Sequence, residues 1–124
     1  MDKEQQQALA QSQAGMRLIA QVMFYNRQDE ARACQFIRES YAPAVLAEAD
    51  VAARWQAWQA HYQTHGRHRI KQMLAIQKHM VAVVLEAERG GYQYCEVVCE
   101  DDYPHLITRY NQYPLEFVGD EGSS

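Results

Sequence analysis

Three histidines raise the question of chemistry first. His61, His65 and His68 form an H-x3-H-x2-H run. The first two fall one helical turn apart, a spacing at which two imidazoles can share a metal. No glutamate follows His61 as in H-E-x-x-H, and Gly66 breaks a helix before His68. The expectation is a solvated helix end, with no metal and no cofactor. Cys95 and Cys99 stand four apart in a strand-like run, on one face but ~13 Å apart along it. That is too far for a shared metal or a disulfide without a bend. With Cys34 they make an odd count, which points to buried, reduced thiols and a cytoplasmic setting.

General acid/base chemistry has its own candidates. Glu96, Glu100, Asp101 and Asp102 form an acidic run, and neighbouring carboxylates raise one another's pKa in a way catalysis uses. Most such runs are a solvated strand end. Glu96, in mid-strand, is the sharpest carboxylate candidate, and His79 and His105 are the candidate imidazole bases. Trp55, Trp58 and Tyr62 stand near Arg54, Arg67, Arg69 and Lys71, a mixture also found at nucleic-acid sites. An aromatic core seam beside a solvated or dimer-facing basic edge explains it more simply. The formal charge of −4 also points away from nucleic acid.

The elements that must carry these residues read as helices first and strands second. A first helix is expected over 2–26, its apolar face made by Leu9, Met16, Ile19, Ala20 and Met23. A polar break at 26–28 precedes a second helix with Ala33, Phe36, Ile37 and Tyr41 inward, ended by Pro43. Asp50 and Gly66 bound a third, with Val51, Trp55, Trp58 and Tyr62 on one seam. Periodicity alone leans towards a helix over 67–88, although the β-branched run 80–85 also suits a strand. Residues 88–91 suit a hairpin turn. Strands are expected over 92–99 and from His105, with Pro114 at an edge.

Size and composition fit one domain. A chain of 124 residues with 48% hydrophobic content supports a single core. No stretch approaches the ~20 apolar residues of a membrane span, and the acidic, amide-rich start is unlike a secretory signal. Charge is segregated: residues 1–50 carry −2, 51–85 carry +5 with no acid, and 86–124 carry −7. Such blocks neutralise each other within one fold or across a dimer.

The order of these features resembles the ketosteroid-isomerase-like cone fold, the nuclear transport factor 2 superfamily. More narrowly, it resembles the small domain of that fold found beside bacterial serine hydrolases and processing peptidases. The resemblance rests on Phe24-Tyr25-Asn26-Arg27-Gln28-Asp29, like an "N-x-G-D" break with Gln28 in place of glycine. Phe36-Ile37 and Tyr41-Ala42-Pro43 follow at suitable spacing. Gly66 then opens the sheet, and Tyr103-Pro104-His105-Leu106-Ile107 is like a "P-H-x-I" strand start with Leu106 where a basic residue is common.

The resemblance implies an α+β cone-like domain over 1–118, with 119–124 a flexible tail. About three N-terminal helices would pack on a curved four-stranded antiparallel sheet, which makes 67–88 two strands. It also implies a pocket between helices and sheet, and a homodimer formed through the sheet. The expected pocket residues are Trp55, Trp58, Tyr62, Tyr92, Tyr94 and Tyr110. No catalytic tyrosine or aspartate of that family maps onto this sequence. The expected function is therefore non-catalytic binding of a small apolar ligand or a partner. The alternative is a small acid/base isomerase, dehydratase or hydrolase, with Glu96, His79 or His105 as base. A helical-repeat adaptor is the third possibility, since Ala33, Phe36 and Pro43 loosely match half of a tetratricopeptide hairpin with no second copy.

Overall fold

Four helix starts are fixed by short polar side chains. Asp2, Ser12, Asp29 and Asp50 each accept a hydrogen bond from the backbone N–H three residues on, a cap worth ~0.5–2 kcal/mol. A computed structural model gives the structure of residues 1–116; the expected tail, 119–124, and the end of the expected domain at 118 lie outside the described residues. The helices are α1 (Lys3–Gln11), α2 (Gln13–Arg27), α3 (Glu30–Ser40), α4 (Pro43–Glu48) and α5 (Val51–His65). The strands are β1 (His68–Gln77), β2 (Met80–Ala87), β3 (Tyr92–Cys99) and β4 (Ile107–Leu115). They form one antiparallel sheet in the order β1-β2-β3-β4. The fold is the expected α+β arrangement of helices over a four-stranded sheet.

The first expected helix is two helices. Ser12 ends α1 in an extended conformation and caps α2. The chain turns there so tightly that a Cβ on Gly15 would lie 1.9 Å from the Leu9 carbonyl oxygen. Only glycine permits that approach. The break also resets the helical phase. Met16, Ile19 and Met23 are 43%, 37% and 38% exposed, so these three of the expected apolar face point out, while Leu9 is buried and Ala20 packs against the core. The buried face of α2 is Ala14, Leu18, Gln21 and Tyr25, and its two polar side chains disguise it. α4 is a further helix, begun by Pro43 at its first turn, where a missing N–H costs nothing.

Residues 67–88 are two strands, against the periodicity and in line with the resemblance. β1 bulges twice, between Ile70 and Gln72 and between Met73 and Ala75. Bulges bend a strand and strengthen its twist, and here they break a period-2 pattern that would otherwise have been legible. β3 alternates strictly. Gln93, Cys95, Val97 and Cys99 point inward, while Tyr92, Tyr94, Glu96 and Val98 lie on the other face. The last strand starts at Ile107 rather than His105, because His105 sits at φ 60°, a left-handed conformation no ladder accepts. Pro114 lies within edge strand β4, as its missing N–H requires.

The core lies between the helices and the inner sheet face. Leu9, Leu18, Ile37, Val81, Val83, Leu85, Val97 and Ile107 are among its fully buried members. Charge segregation resolves in part within the β1–β2 hairpin, where Arg69 pairs with Glu86 at 2.6 Å and Arg67 with Glu88 at 3.8 Å. Among the described residues, no helix is long and apolar enough to cross a membrane.

Candidate functional site

The end of α2, the end of α5 and the start of β1 are tied together by polar contacts. Asn26 Nδ2 donates to the His68 carbonyl and its Oδ1 accepts from the His68 N–H, both at 2.8 Å. The Tyr25 hydroxyl donates to the Gly66 carbonyl at 2.8 Å. The exposed carbonyls at the α5 C-terminus receive Arg89, whose N–H donates to His65 and whose guanidinium donates to Tyr62 and Gln63. A cation there also complements the helix dipole. Gly66, at φ 76°, makes the reversal from α5 into β1.

That reversal brings the three histidines together. His68, 5% exposed, lies flat against Tyr25 with ring centroids 4.6 Å apart. Its Nε2 is 3.1 Å from His61 Nε2, so one imidazole donates and the other accepts. The His65 ring packs on His61 at 4.2 Å. Burial, then the neighbouring imidazoles, lowers both His61 and His68 to about 4. Both are therefore neutral at pH 7, and the solvated helix end expected for this run is instead a packed ring cluster. Among the described residues, no group of three or more His, Cys, Asp or Glu side chains is arranged to hold a metal ion.

The cluster borders a cavity of about 340 Å³ enclosed by α2, α5 and the inner face of β2–β4, a size suited to a small organic ligand. Leu18, Val22, Trp58 and Leu85 give it apolar walls. A chain of neutral polar groups crosses the far side. The Tyr41 hydroxyl donates to Gln21 Oε1 at 2.5 Å, the Tyr110 hydroxyl donates to Gln112, and Gln112 Nε2 donates to Gln93 Oε1 at 2.6 Å. Burial raises the pKa of Tyr41 and Tyr110 and pushes the Cys95 thiol up to about 12. These groups stay protonated at neutral pH, so they donate or accept hydrogen bonds and carry no charge. Arg54 is the cationic exception, its guanidinium held by the Val45 carbonyl in α4 and the Ala49 carbonyl at the end of α4.

Of the six aromatic residues expected in the pocket, Trp58 and Tyr110 line the cavity. Trp55 is buried in the core beside Trp58. Tyr62 packs edge-on against Tyr25. Tyr92 and Tyr94 occupy the outer face of β3, where Tyr94 stacks on Tyr113. Glu96 shares that outer face and meets Arg109, Asn111 and Tyr94. Its even-numbered position on a strictly alternating strand takes it away from the cavity. His79 and His105 sit at the opposite end of the β1–β2 hairpin, their rings stacked with centroids 6.0 Å apart. Sequence reasoning did not select Gln21, Gln93 and Gln112. Their signal was phase: Gln93 shares a face with Cys95 and Val97, and Gln21 falls three residues after Leu18 and four before Tyr25.

No family model, curated protein or solved structure matches this chain.

Proposed function

We propose that this chain is a ketosteroid-isomerase-like domain that binds a small, mostly apolar ligand in the cavity without transforming it. In this reading it pairs with a second copy through the sheet. The carrying observation is the cavity itself. It has apolar walls, tyrosines and a thiol that burial keeps protonated, and among the described residues no carboxylate lines it. A general base with a pKa near working pH is the usual requirement of acid/base catalysis, and Glu96, His79 and His105 all lie elsewhere.

Trp58 in the cavity wall makes ligand entry visible by tryptophan fluorescence. Titration with 1-decanol should saturate at one ligand per chain, and Val22→Trp, which fills the cavity, should abolish it. Mass spectrometry should recover the alcohol unchanged. Binding that ignores Val22→Trp would remove the cavity as the site. For the dimer, sedimentation should give twice the chain mass, with Leu74→Glu on the exposed part of β1 shifting it to the monomer. A monomeric wild type would remove the pairing.

One observation favours the alternative, an acid/base enzyme. His61 and His68 face the cavity as neutral imidazoles and can accept a proton. Turnover lost in His61→Gln and His68→Gln, yet kept in Glu96→Gln, His79→Ala and His105→Ala, would establish that reading over the first.

A further inference from the structure

Arg54 is built into the cavity wall with no counter-charge among the described residues. Its Nε donates to the Ala49 carbonyl at 2.7 Å and its Nη2 to the Val45 carbonyl at 3.0 Å. Its guanidinium carbon lies 4.9 Å from the centre of the Tyr41 ring. Carbonyls and a ring face hold a guanidinium in place but do not neutralise it, and three of its five N–H donors remain. The other arginines of the same basic stretch, Arg67 and Arg69, find Glu88 and Glu86. Arg54 has no carboxylate partner among the described residues, and no aspartate or glutamate lines the cavity.

A half-buried cation facing an apolar cavity is stabilised by an anion that arrives with the ligand. The planar fork of arginine matches a carboxylate in two parallel hydrogen bonds. A phosphate monoester would bring about two negative charges to a single cation, with only neutral groups across the cavity to receive the second. We propose that the ligand is an apolar monocarboxylate, its carboxylate on Arg54 and its hydrocarbon or aryl body between Leu18, Val22, Trp58 and Leu85. This rests on the cavity-binding function proposed above and names the ligand class for it.

The test compares two probes with the same body, decanoate and 1-decanol, by tryptophan fluorescence of the full chain at pH 7.5. Decanoate should bind tighter on the order of ten- to a hundredfold, the range expected of charge-assisted hydrogen bonds. Arg54→Gln should weaken decanoate far more than the alcohol, bringing the two affinities together. Arg54→Lys keeps the charge without the fork and should fall between. It also serves if loss of the Val45 and Ala49 contacts unfolds the glutamine variant. Equal affinity of acid and alcohol for the wild type would overturn the anionic ligand while leaving the cavity function standing. Acid preference unchanged in the Arg54 variants would overturn the role of Arg54. Failure of both probes to bind would overturn the cavity function, and this inference with it.

Discussion

At one end of the β1–β2 hairpin the His61 and His68 rings meet behind Tyr25; at the other, His79 and His105 stack beside Asp101. In the first pair His68 is buried and His61 half-buried. His68 is held by Asn26 through its backbone and by Tyr25 through its ring, and burial strips both imidazoles of their proton at pH 7. In the second pair His79 is also largely buried, but both its ring nitrogens lack a hydrogen-bond partner among the described residues. His79 Nε2 lies 2.5 Å from Asp101 Oδ1, too poorly aligned for a hydrogen bond, and the Asp101 side chain is 77% exposed. Histidine beside acid is the pattern that reads as chemistry in a sequence. Histidine beside aromatic and amide is the one placed on a cavity. The difference teaches that packing, rather than the company a residue keeps along the chain, decides which imidazole faces a ligand.

The largest test of this contrast is Asn26→Ala. It removes both partners of the His68 peptide groups, and each unsatisfied buried group costs ~1–3 kcal/mol. The expected loss is about 3 kcal/mol, read from urea unfolding. A loss under about 1 kcal/mol would mean that Asn26 does not fix this end. Gly66→Ala comes next, at about 2 kcal/mol, because φ 76° with ψ −156° is a conformation open to glycine.

The acid limb of the stability profile separates the two ends further. His61 and His68 titrate near 4 in the folded chain, below the ~6.5 of an unfolded histidine. The unfolded chain therefore takes up protons first as pH falls. The stability these groups contribute is complete above about pH 6.5 and is lost as pH drops towards 4. The slope is at most ~1.4 kcal/mol per pH unit for each histidine, and less for half-exposed His61. His68→Gln should flatten it. A wild type whose urea midpoint is unchanged between pH 7 and pH 5 would contradict a buried neutral pair.

At the other end the effects shrink. His105→Gly relieves a left-handed backbone that costs a non-glycine residue ~1–2 kcal/mol but gives up ring contacts, so a net gain of up to about 1 kcal/mol is expected. Asp101→Asn should change stability by less than about 1 kcal/mol, because the Asp101 side chain is 77% exposed. A larger loss there would erase the contrast.

The ends of α5 were legible because Asp50 and Gly66 carry local signals that need no tertiary partner, whereas the break at Ser12 was not. The hairpin over 67–88 was hidden because two bulges scramble its alternation. The inner face of α2 was hidden because Gln21 and Tyr25 satisfy their polar atoms only after folding, through Tyr41 and Gly66. Trp58 and Tyr110 were legible as cavity residues by type. Tyr92, Tyr94 and Glu96 were misplaced because type alone does not set the face of a strand; the parity of Cys95 and Val97 does. The histidine cluster was visible as a spacing, but its closure depends on a glycine turn whose direction the sequence does not reveal.

Edge strands expose unpaired peptide groups, and a growing aggregate can use them as a template. β1 is an edge of this sheet, and it is blunted along its length. Asn26 occupies both peptide groups of His68, the Met1 amine caps the Lys71 carbonyl, and two bulges spoil the repeat over 70–75. At the opposite edge, Pro114 removes a donor from β4. A stray strand therefore meets an interrupted ladder at the start of β1 and at the end of β4, so strand addition at those places is disfavoured while the chain stays folded.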